Sequence, residues 1–324
     1  MKTKELVLEL FESNKGIYFS GEEIAQKLSI SRAAVWKAVK SLREEGYEID
    51  AVTNKGYCLS AQTDILSSQG IWKYLGPECA DLAVTVLPVV DSTNALVREK
   101  ANQGAPEGLT VIANEQTKGR GRSGRRFFSP GGTGIYMSIL LRPTGFSANQ
   151  AVRITTMAAV AICEALEEVA DVEAKIKWVN DIFVDGKKVC GILTEGSFDM
   201  ESGMLEYAVL GVGINVYPPS GEFPQELEAV ASAVFAEPQN DMKNRIAAAF
   251  LDRFMKYYKN QNHAEYTGKY QSRSLAVGKQ VTVIAGEKTR QAFAYGVDDE
   301  CHLLVRYEDG KTESLSCGEI RIRL

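Results

Sequence analysis

Between residues 118 and 128 the chain reads Lys118-Gly119-Arg120-Gly121-Arg122-Ser123-Gly124-Arg125-Arg126-Phe127-Phe128, with guanidinium groups interleaved by glycines just ahead of two aromatic rings. A planar guanidinium donates in pairs to carboxylate or phosphate oxygens, and glycine lets a backbone come close to an anion. Taken alone, such a run is equally a solvated basic loop. Its glycine content makes it too supple to be stiff, so it is expected to be mobile without a ligand and to close as a lid over a phosphate ester. Ordering it costs about 1 to 2 kcal/mol per residue, which several charge-assisted contacts must offset.

Other polar segments accompany it in order: Asp91-Ser92-Thr93-Asn94, Glu115-Gln116, Lys177-Trp178-Val179-Asn180-Asp181, and Lys188, which follows Asp181 by seven positions. The apolar runs Gly191-Ile192-Leu193 and Gly211-Val212-Gly213-Ile214-Asn215 come after. Asp-Ser-Thr-Asn by itself is an ordinary helix cap. Of the adjacent strand residues Lys187 and Lys188, one must point away from any site and be merely solvated.

The elements that must position these groups begin near Ala83. Val84 to Leu87 reads as a strand, Asn94 to Asn102 as a helix opened by the Ser92-Thr93 caps, and Thr110 to Asn114 and Ile135 to Leu141 as strands. Gln150 to Val169 carries apolar residues at helical spacing, and Ile176 to Val179, Ile182 to Val184, Val189 to Leu193 and Tyr207 to Ile214 supply further strands. The hairpin signal Val184-Asp185-Gly186-Lys187 marks an antiparallel or mixed sheet, so an α+β domain is expected rather than a doubly wound parallel one. Neither a Walker sequence nor a strand-Gly-x-Gly-x-x-Gly-helix unit occurs where a nucleotide fold would need it.

Ahead of this region, Leu6, Val7, Leu10 and Phe11 recur at helical spacing, and Ser20 with Glu23 forms a capping box opening a helix from Gly21 to Leu28. Ser31 caps a third helix running through Arg32, Val35, Trp36, Val39 and Leu42 to Gly46. Two short helices joined by a tight turn, the second bearing Arg32, Lys37, Lys40 and Arg43, fit a helix-turn-helix that enters the major groove. The strands Tyr47 to Val52 and Tyr57 to Leu59, joined by Thr53-Asn54-Lys55-Gly56, would be its wing with Lys55 near the tip. The alternative is a helical interaction module whose basic residues are simply exposed. Trp36 is read as a packing residue on the apolar face of Val35 and Val39, and Ser31, Arg32, Lys37, Lys40 and Lys55 as the DNA-contacting set.

After a helix from Met242 to Lys259 and a polar stretch through Tyr270, short strands follow: Gln280 to Ile284, Ala292 to Val297, Leu303 to Tyr307, Glu313 to Leu315 and Glu319 to Ile322. Turns at Ala285-Gly286-Glu287, Asp298-Asp299 and Asp309-Gly310 separate them, as in a small SH3-like barrel. The whole chain thus divides into 1–62, a winged helix-turn-helix; 63–272, a catalytic mixed-sheet domain; and 273–324, the barrel.

With 324 residues, 45% of them apolar, the chain is long enough for two or three cores without disulfides. A net charge of -5 confines any nucleic-acid contact to a local basic patch. Cys58, Cys79, Cys163, Cys190, Cys301 and Cys317 lie scattered, with His263 and His302 the only histidines, so reduced thiols are expected rather than a zinc site. The N-terminal residues lack a secretory apolar core, and no run is long enough to span a bilayer, which points to the cytoplasm and to no membrane partner.

Gly-Arg-Gly-Arg followed by Gly-Arg and an aromatic, together with the six ordered segments above, resembles the biotin-protein ligases. The N-terminal extension makes the chain similar to their bifunctional type, which also represses biotin synthesis genes. The fold implied is a class II synthetase-like biotin/lipoate ligase domain between the winged helix and the barrel. The resemblance implies attack of the biotin carboxylate on the α-phosphate of ATP, giving biotinyl-5'-AMP and pyrophosphate. The acyl group then passes to a lysine of the biotin carboxyl carrier domain of acetyl-CoA carboxylase and related carboxylases.

By that resemblance Gly119, Arg120, Gly121 and Arg122 close over biotin and the adenylate, Ser92, Thr93, Asn94 and Gln116 hydrogen-bond the ureido ring system, and Gly191 and Gly213 let strands approach the bicyclic ligand. Lys188 meets the biotin carboxyl and adenylate oxygens, Asn215 lies on the nucleotide side, and Asp181 is the candidate to take the acceptor lysine's proton. Arg120, Arg122 and Lys188 would offset the repulsion of two anions. Magnesium is expected with ATP, and no carboxylate cluster identifies its ligands. The adenylate is the implied corepressor, promoting a homodimer that binds a two-half-site operator. The chain departs from the family at Val179, often proline, at Phe127, often tryptophan, and at Ser123, often arginine. Two alternatives stand beside this reading. A lipoate-protein ligase is disfavoured by the arginine loop and the winged helix; a DNA-binding ligand sensor without ligase activity is disfavoured by the joint presence of Arg122, Lys188 and Asp181.

Overall fold

Packing sorts the chain into two units, residues 1–75 with 238–248, and residues 76–237 with 249–324. The computed structural model describes residues 2–147, 150–199, 201–260, 263–285, 288–316 and 318–322.

In the first unit, α1 (Thr3–Glu12), α2 (Gly21–Leu28) and α3 (Arg32–Glu44) precede a hairpin of β1 (Ile49–Val52) and β2 (Gly56–Leu59), then α4 (Ser68–Trp72). The capping box forms as the sequence requires: Glu23 donates its N–H to Ser20 Oγ at 3.1 Å and Ser20 its N–H to Glu23 Oε2 at 2.7 Å. At the end of α2, Ser29 turns left-handed, with φ 54°, and two residues later Ser31 Oγ accepts from Ala34 N at 3.2 Å to open α3. The buried faces of the three helices, among them Val7, Phe11, Ile24, Val35, Val39 and Leu42, make one core with Tyr47, Ile49 and Leu59.

Trp36 is not in that core: it is 55% exposed, which corrects the reading that placed it on the apolar face. It follows Val35 by one position, about 100° round the helix, and so leaves the stripe of Val35, Ala38, Val39 and Leu42. Arg43 donates through Nε to the Ile49 carbonyl at 2.8 Å and braces the hairpin. Gly56, with φ +99°, admits no side chain, since a Cβ there would lie 2.1 Å from the Phe19 carbonyl oxygen.

A buried charge cluster closes this unit. Asp241 is bonded by Lys15 at 2.9 Å, Lys73 at 2.5 Å, Tyr74 at 2.7 Å and Asn244 at 2.8 Å, while both lysines also reach Glu12. Burial alone would raise the Asp241 carboxyl, but hydrogen bonds from Lys73, Asn244, Tyr74 and Lys15 outweigh it and hold it down at about 2.

The second unit is built on a seven-stranded mixed sheet. Its strands are β3 (Ala83–Val90), β4 (Leu109–Gln116), β5 (Gly134–Leu141), β6 (Lys175–Lys177), β7 (Asp181–Val184), β8 (Lys187–Phe198) and β9 (Leu205–Asn215), ordered β3-β4-β5-β9-β8-β7-β6. Only β3 and β4 run parallel, joined by the crossover α5 (Thr93–Asn102); the remaining neighbours are antiparallel, as the hairpin signal implied. Asp185 and Gly186 both have positive φ, 49° and 74°, as a two-residue turn between β7 and β8 demands. The apolar helix α6 (Ala151–Ala170) packs across β6 to β9, and α5 on β4, β5 and β9.

A short α7 (Gln225–Glu228) and the long α8 (Met242–Asn260) follow. The polar stretch through Tyr270 is a helix, α9 (His263–Ser272), whose burial comes from Tyr266 and Tyr270 four positions apart rather than from aliphatic residues. The strand expected through Val179 ends at Lys177, where the chain turns through Trp178 and Val179, joined by a cis peptide.

The tail is a five-stranded antiparallel sheet of β10 (Lys279–Ala285), β11 (Lys288–Val297), β12 (Leu303–Tyr307), β13 (Thr312–Leu315) and β14 (Glu319–Ile322), ordered β13-β12-β11-β10-β14. Gly286 and Glu287 of the expected turn, and Cys317, lie outside the described residues. The other five cysteines are free and buried. Among the described residues no helix is long and apolar enough to cross a membrane.

Since the Asp241 carboxyl is depressed when folded, its contribution to stability is present above the ordinary carboxylate range and is lost as pH falls from about 4 towards about 2. Asp241→Asn should cost about 3 kcal/mol at pH 7, because it leaves the two buried ammonium groups to share the Glu12 carboxylate. Urea unfolding of wild type and variant at pH 7 and pH 3 checks this, with the gap between them narrowing at the lower pH.

Candidate active site

A bulge between β7 and β8 sets the chemistry of the site. Ile182 pairs with Cys190 but Phe183 with Lys188, so Val189 is extra and the side-chain alternation of β8 shifts by one. Val189 and Cys190 are buried, while Lys188, Gly191 and Leu193 line a cavity of about 870 Å³. There Lys188 Nζ meets Asp181 Oδ1 at 2.6 Å. Lys187 is exposed and donates to the Glu228 carbonyl instead. Burial pushes the Cys190 thiol well up, which removes it as a nucleophile at neutral pH.

Gly191 on β8 pairs with Gly213 on β9, and the ring of Phe127 lies against both. A Cβ on Gly213 would come within 2.5 Å of that ring, whose edge also meets Tyr136 at a centroid distance of 6.3 Å. Asn215 lines the same cavity, its Nδ2 donating to the Ser232 carbonyl at 3.1 Å.

At the other end, the start of α5 supplies a polar wall. Ser92 Oγ caps the helix, and Thr93 N and Oγ1 both donate to Gln116 Oε1, at 2.9 and 3.1 Å. Ser138, buried on β5, holds Thr93 Oγ1 at 2.7 Å and Asn94 Oδ1 at 2.6 Å. Asn94 in turn donates to Glu195 Oε2 at 2.8 Å. Four candidate residues are thereby locked in orientation by hydrogen bonds, as a site that selects a polar ring system requires.

The arginine loop is folded back on itself, with Gly121 N bonded to Arg125 O at 2.8 Å and Phe127 N to Gly119 O at 3.0 Å. Gly119 is crowded enough that a Cβ would lie 2.4 Å from the Phe127 carbonyl oxygen. Arg120 and Arg122 go to different walls. Arg120 faces Glu195 at 3.8 Å, whereas Arg122 donates to Asn180 Oδ1 and to the Gly318 carbonyl, both at 3.0 Å. Arg125 pairs with Glu319, and that hydrogen bond holds the Glu319 carboxyl below its ordinary range.

Six cationic side chains, Arg120, Arg122, Arg125, Arg126, Lys177 and Lys188, line this cavity against two anionic ones, Asp181 and Glu319. In a chain whose net charge is -5, that concentration makes the cavity a site for a polyanion. Its size suits a ligand of nucleotide dimensions. Among the described residues no group of three or more histidine, cysteine, aspartate or glutamate side chains is placed to hold a metal.

Every candidate from the central region lies at the cavity or in the loop over it. Sequence reasoning left Ser138, Asn180, Glu195, Gly318 and Glu319 without a role. The run around Asn180 was the one available signal for it, whereas Gly318 and Glu319 arrive from nearly 200 positions away in the chain. The second candidate set stands in the first unit: Arg32, Lys37 and Lys40 are exposed along α3 and Lys55 at the hairpin tip, while Ser31 is engaged in capping α3.

Three family models match this chain: HTH domain at residues 3–58, Biotin/lipoate A/B protein ligase family at 86–215, and Biotin protein ligase C terminal domain at 276–323. It is 35% identical over 308 residues to the "Bifunctional ligase/repressor BirA" of Bacillus spizizenii and to that of Bacillus subtilis, covering 94% of this chain and 94% of each relative. Among solved structures it is similar to a biotin protein ligase from Aquifex aeolicus in complex with biotin and ATP, with a TM-score of 0.62 and 29% identity, covering 74% of this chain and 98% of that one.

The polar wall has a direct test. A Cβ at position 211 would sit 2.1 Å from Asn94 Oδ1. Gly211→Ala should therefore destabilise by about 2 to 3 kcal/mol. Combined with Asn94→Ala in urea unfolding, it should cost clearly less than the sum of the single changes; an additive pair means that the clash is not with Asn94.

Proposed function

Because the chain belongs to the family of bifunctional biotin ligase/repressors, we infer that it activates biotin with ATP, transfers it to a protein lysine, and represses transcription through its helix-turn-helix. The observation that carries the ligase half is the cationic cavity with the Lys188–Asp181 pair on its floor. Transfer of labelled biotin to a purified biotin carboxyl carrier domain, in the presence of ATP and magnesium, tests it.

In the first step a biotin carboxylate oxygen bonds to the α-phosphorus of ATP and the bond to the β-phosphate bridge breaks, releasing pyrophosphate. Two like charges 4 Å apart repel by about 4 kcal/mol at a protein surface. Lys188 and Arg122 are proposed to offset this and to hold the biotinyl-5'-AMP product, with Arg120 securing the lid over the ring system. Ser92, Thr93, Asn94 and Gln116 would select the ureido group, Gly119, Gly121, Gly191 and Gly213 would admit the ligand closely, and Asn215 would face the nucleotide. Magnesium would arrive on the triphosphate, its protein ligands unassigned.

In the second step the neutral amine of the acceptor lysine attacks the acyl carbon, an amide forms, and AMP leaves. At pH 7 only roughly one lysine in 2,500 is neutral, so a base must take the proton. Asp181, paired with Lys188 at 2.6 Å, is proposed as that base. The acceptor is the carrier domain of acetyl-CoA carboxylase and related carboxylases, met in the cytoplasm.

For the repressor half, the adenylate is proposed as corepressor, favouring a homodimer that spans two operator half-sites. Arg32, Lys37, Lys40 and Lys55 would contact the DNA, with Ser31 fixing the start of α3. We read 1–62 as the winged module, 63–272 as the catalytic domain, and 273–324 as an SH3-like barrel that completes the active site through Gly318 and Glu319.

Asp181→Ala should slow acyl transfer by about 100-fold or more while adenylate formation changes far less; equal losses in the two half-reactions would remove Asp181 from the base role. Arg32→Ala should weaken operator binding in a gel shift, reduce the salt slope by about one, and leave biotin transfer unchanged.

A further inference from the structure

The largest apolar side chain on the DNA-facing helix is not used by the fold. Trp36 is 55% exposed, in the second turn of α3, and all the packing of that helix is done by Val35, Ala38, Val39 and Leu42. Its neighbours on the same helical row are Arg32, one turn before, and Lys40, one turn after, with exposed Lys37 adjacent. Lys40 Nζ stands 5.7 Å from the indole centroid, while Glu22 faces Arg32 at 3.7 Å and Glu44 faces Lys40 at 3.9 Å. A cation beside a ring with only two side-chain torsions keeps the indole presented at little entropic cost. This is an apolar surface framed by phosphate-seeking charges on a helix-turn-helix, a combination that suits nucleic acid.

In the major groove every base pair shows donors and acceptors, and the one methyl group is that at C5 of thymine. The apolar face of an indole pressed against any other base edge would desolvate polar atoms without pairing them. We propose that Trp36 is the residue with which this protein reads thymine in its operator. The proposal rests on the repressor reading above. Arg32, Lys37 and Lys40 then hold α3 on the phosphates, and Trp36 supplies discrimination that charges cannot.

The test uses the full chain with biotin, ATP and magnesium to enrich duplexes from a random-sequence pool, and then replaces each thymine of the selected duplex by uracil, which removes only the methyl. Wild type should lose roughly fourfold in affinity per contacted methyl at one or two positions, and Trp36→Ala should bind thymine and uracil forms alike. Its affinity for unrelated DNA and its salt slope should stay as in wild type, whereas Lys40→Ala should lower both. Indifference of wild type to every uracil, or equal losses in Trp36→Ala, overturns the proposal. Failure to enrich any sequence overturns the repressor reading, and the proposal with it.

Discussion

Holding a carboxylate against a triphosphate means keeping like charges a few ångströms apart, and the second unit is organised around that repulsion. The chain as a whole is acidic, yet its large cavity gathers six cations and two anions. Local composition and strand geometry together produce the concentration. The bulge in β7–β8 turns Lys188 inward beside Asp181, paired glycines leave room above the sheet, and the arginine loop brings its guanidinium groups over the same space. Arg120 and Arg122 engage different partners, Glu195 and Asn180, so the loop is tied at two points.

Much of this was legible in the residues. Caps at Ser20, Ser31 and Ser92, the Asp185-Gly186 turn and the alternation of the tail strands each have a local physical cause, and each forms where expected. Strand alternation required that only one of Lys187 and Lys188 face the cavity, and the resemblance chose Lys188, which does line it. What escaped was set by phase or by distance. Trp36 sits one residue off the apolar stripe, a difference that a pattern of hydrophobic letters blurs. α9 buries tyrosines that read as polar, and the bulge at Val189 leaves no mark in composition. Gly318 and Glu319 reach the cavity only through the folding of β10 and β14 against each other, a pairing that no local motif announces.

The two units solve opposite electrostatic problems. In the first, the Asp241 and Glu12 carboxylates are buried and paired with Lys15 and Lys73. The basic residues proposed to meet DNA stay exposed on α3 and the hairpin tip, where attraction to phosphate acts at long range. In the second, the cavity's charges are partly enclosed, where each interaction is strengthened by exclusion of water. An exposed row suits binding a polymer reversibly; an enclosed cluster suits keeping a reactive mixed anhydride from hydrolysis.

The central claim is that the enclosed cations create and retain that anhydride. Native mass spectrometry of the full chain after incubation with biotin, ATP and magnesium tests it most directly. The account predicts one non-covalent biotinyl-adenylate per chain together with release of pyrophosphate. Retention of biotin or ATP alone, with no pyrophosphate formed, would contradict it.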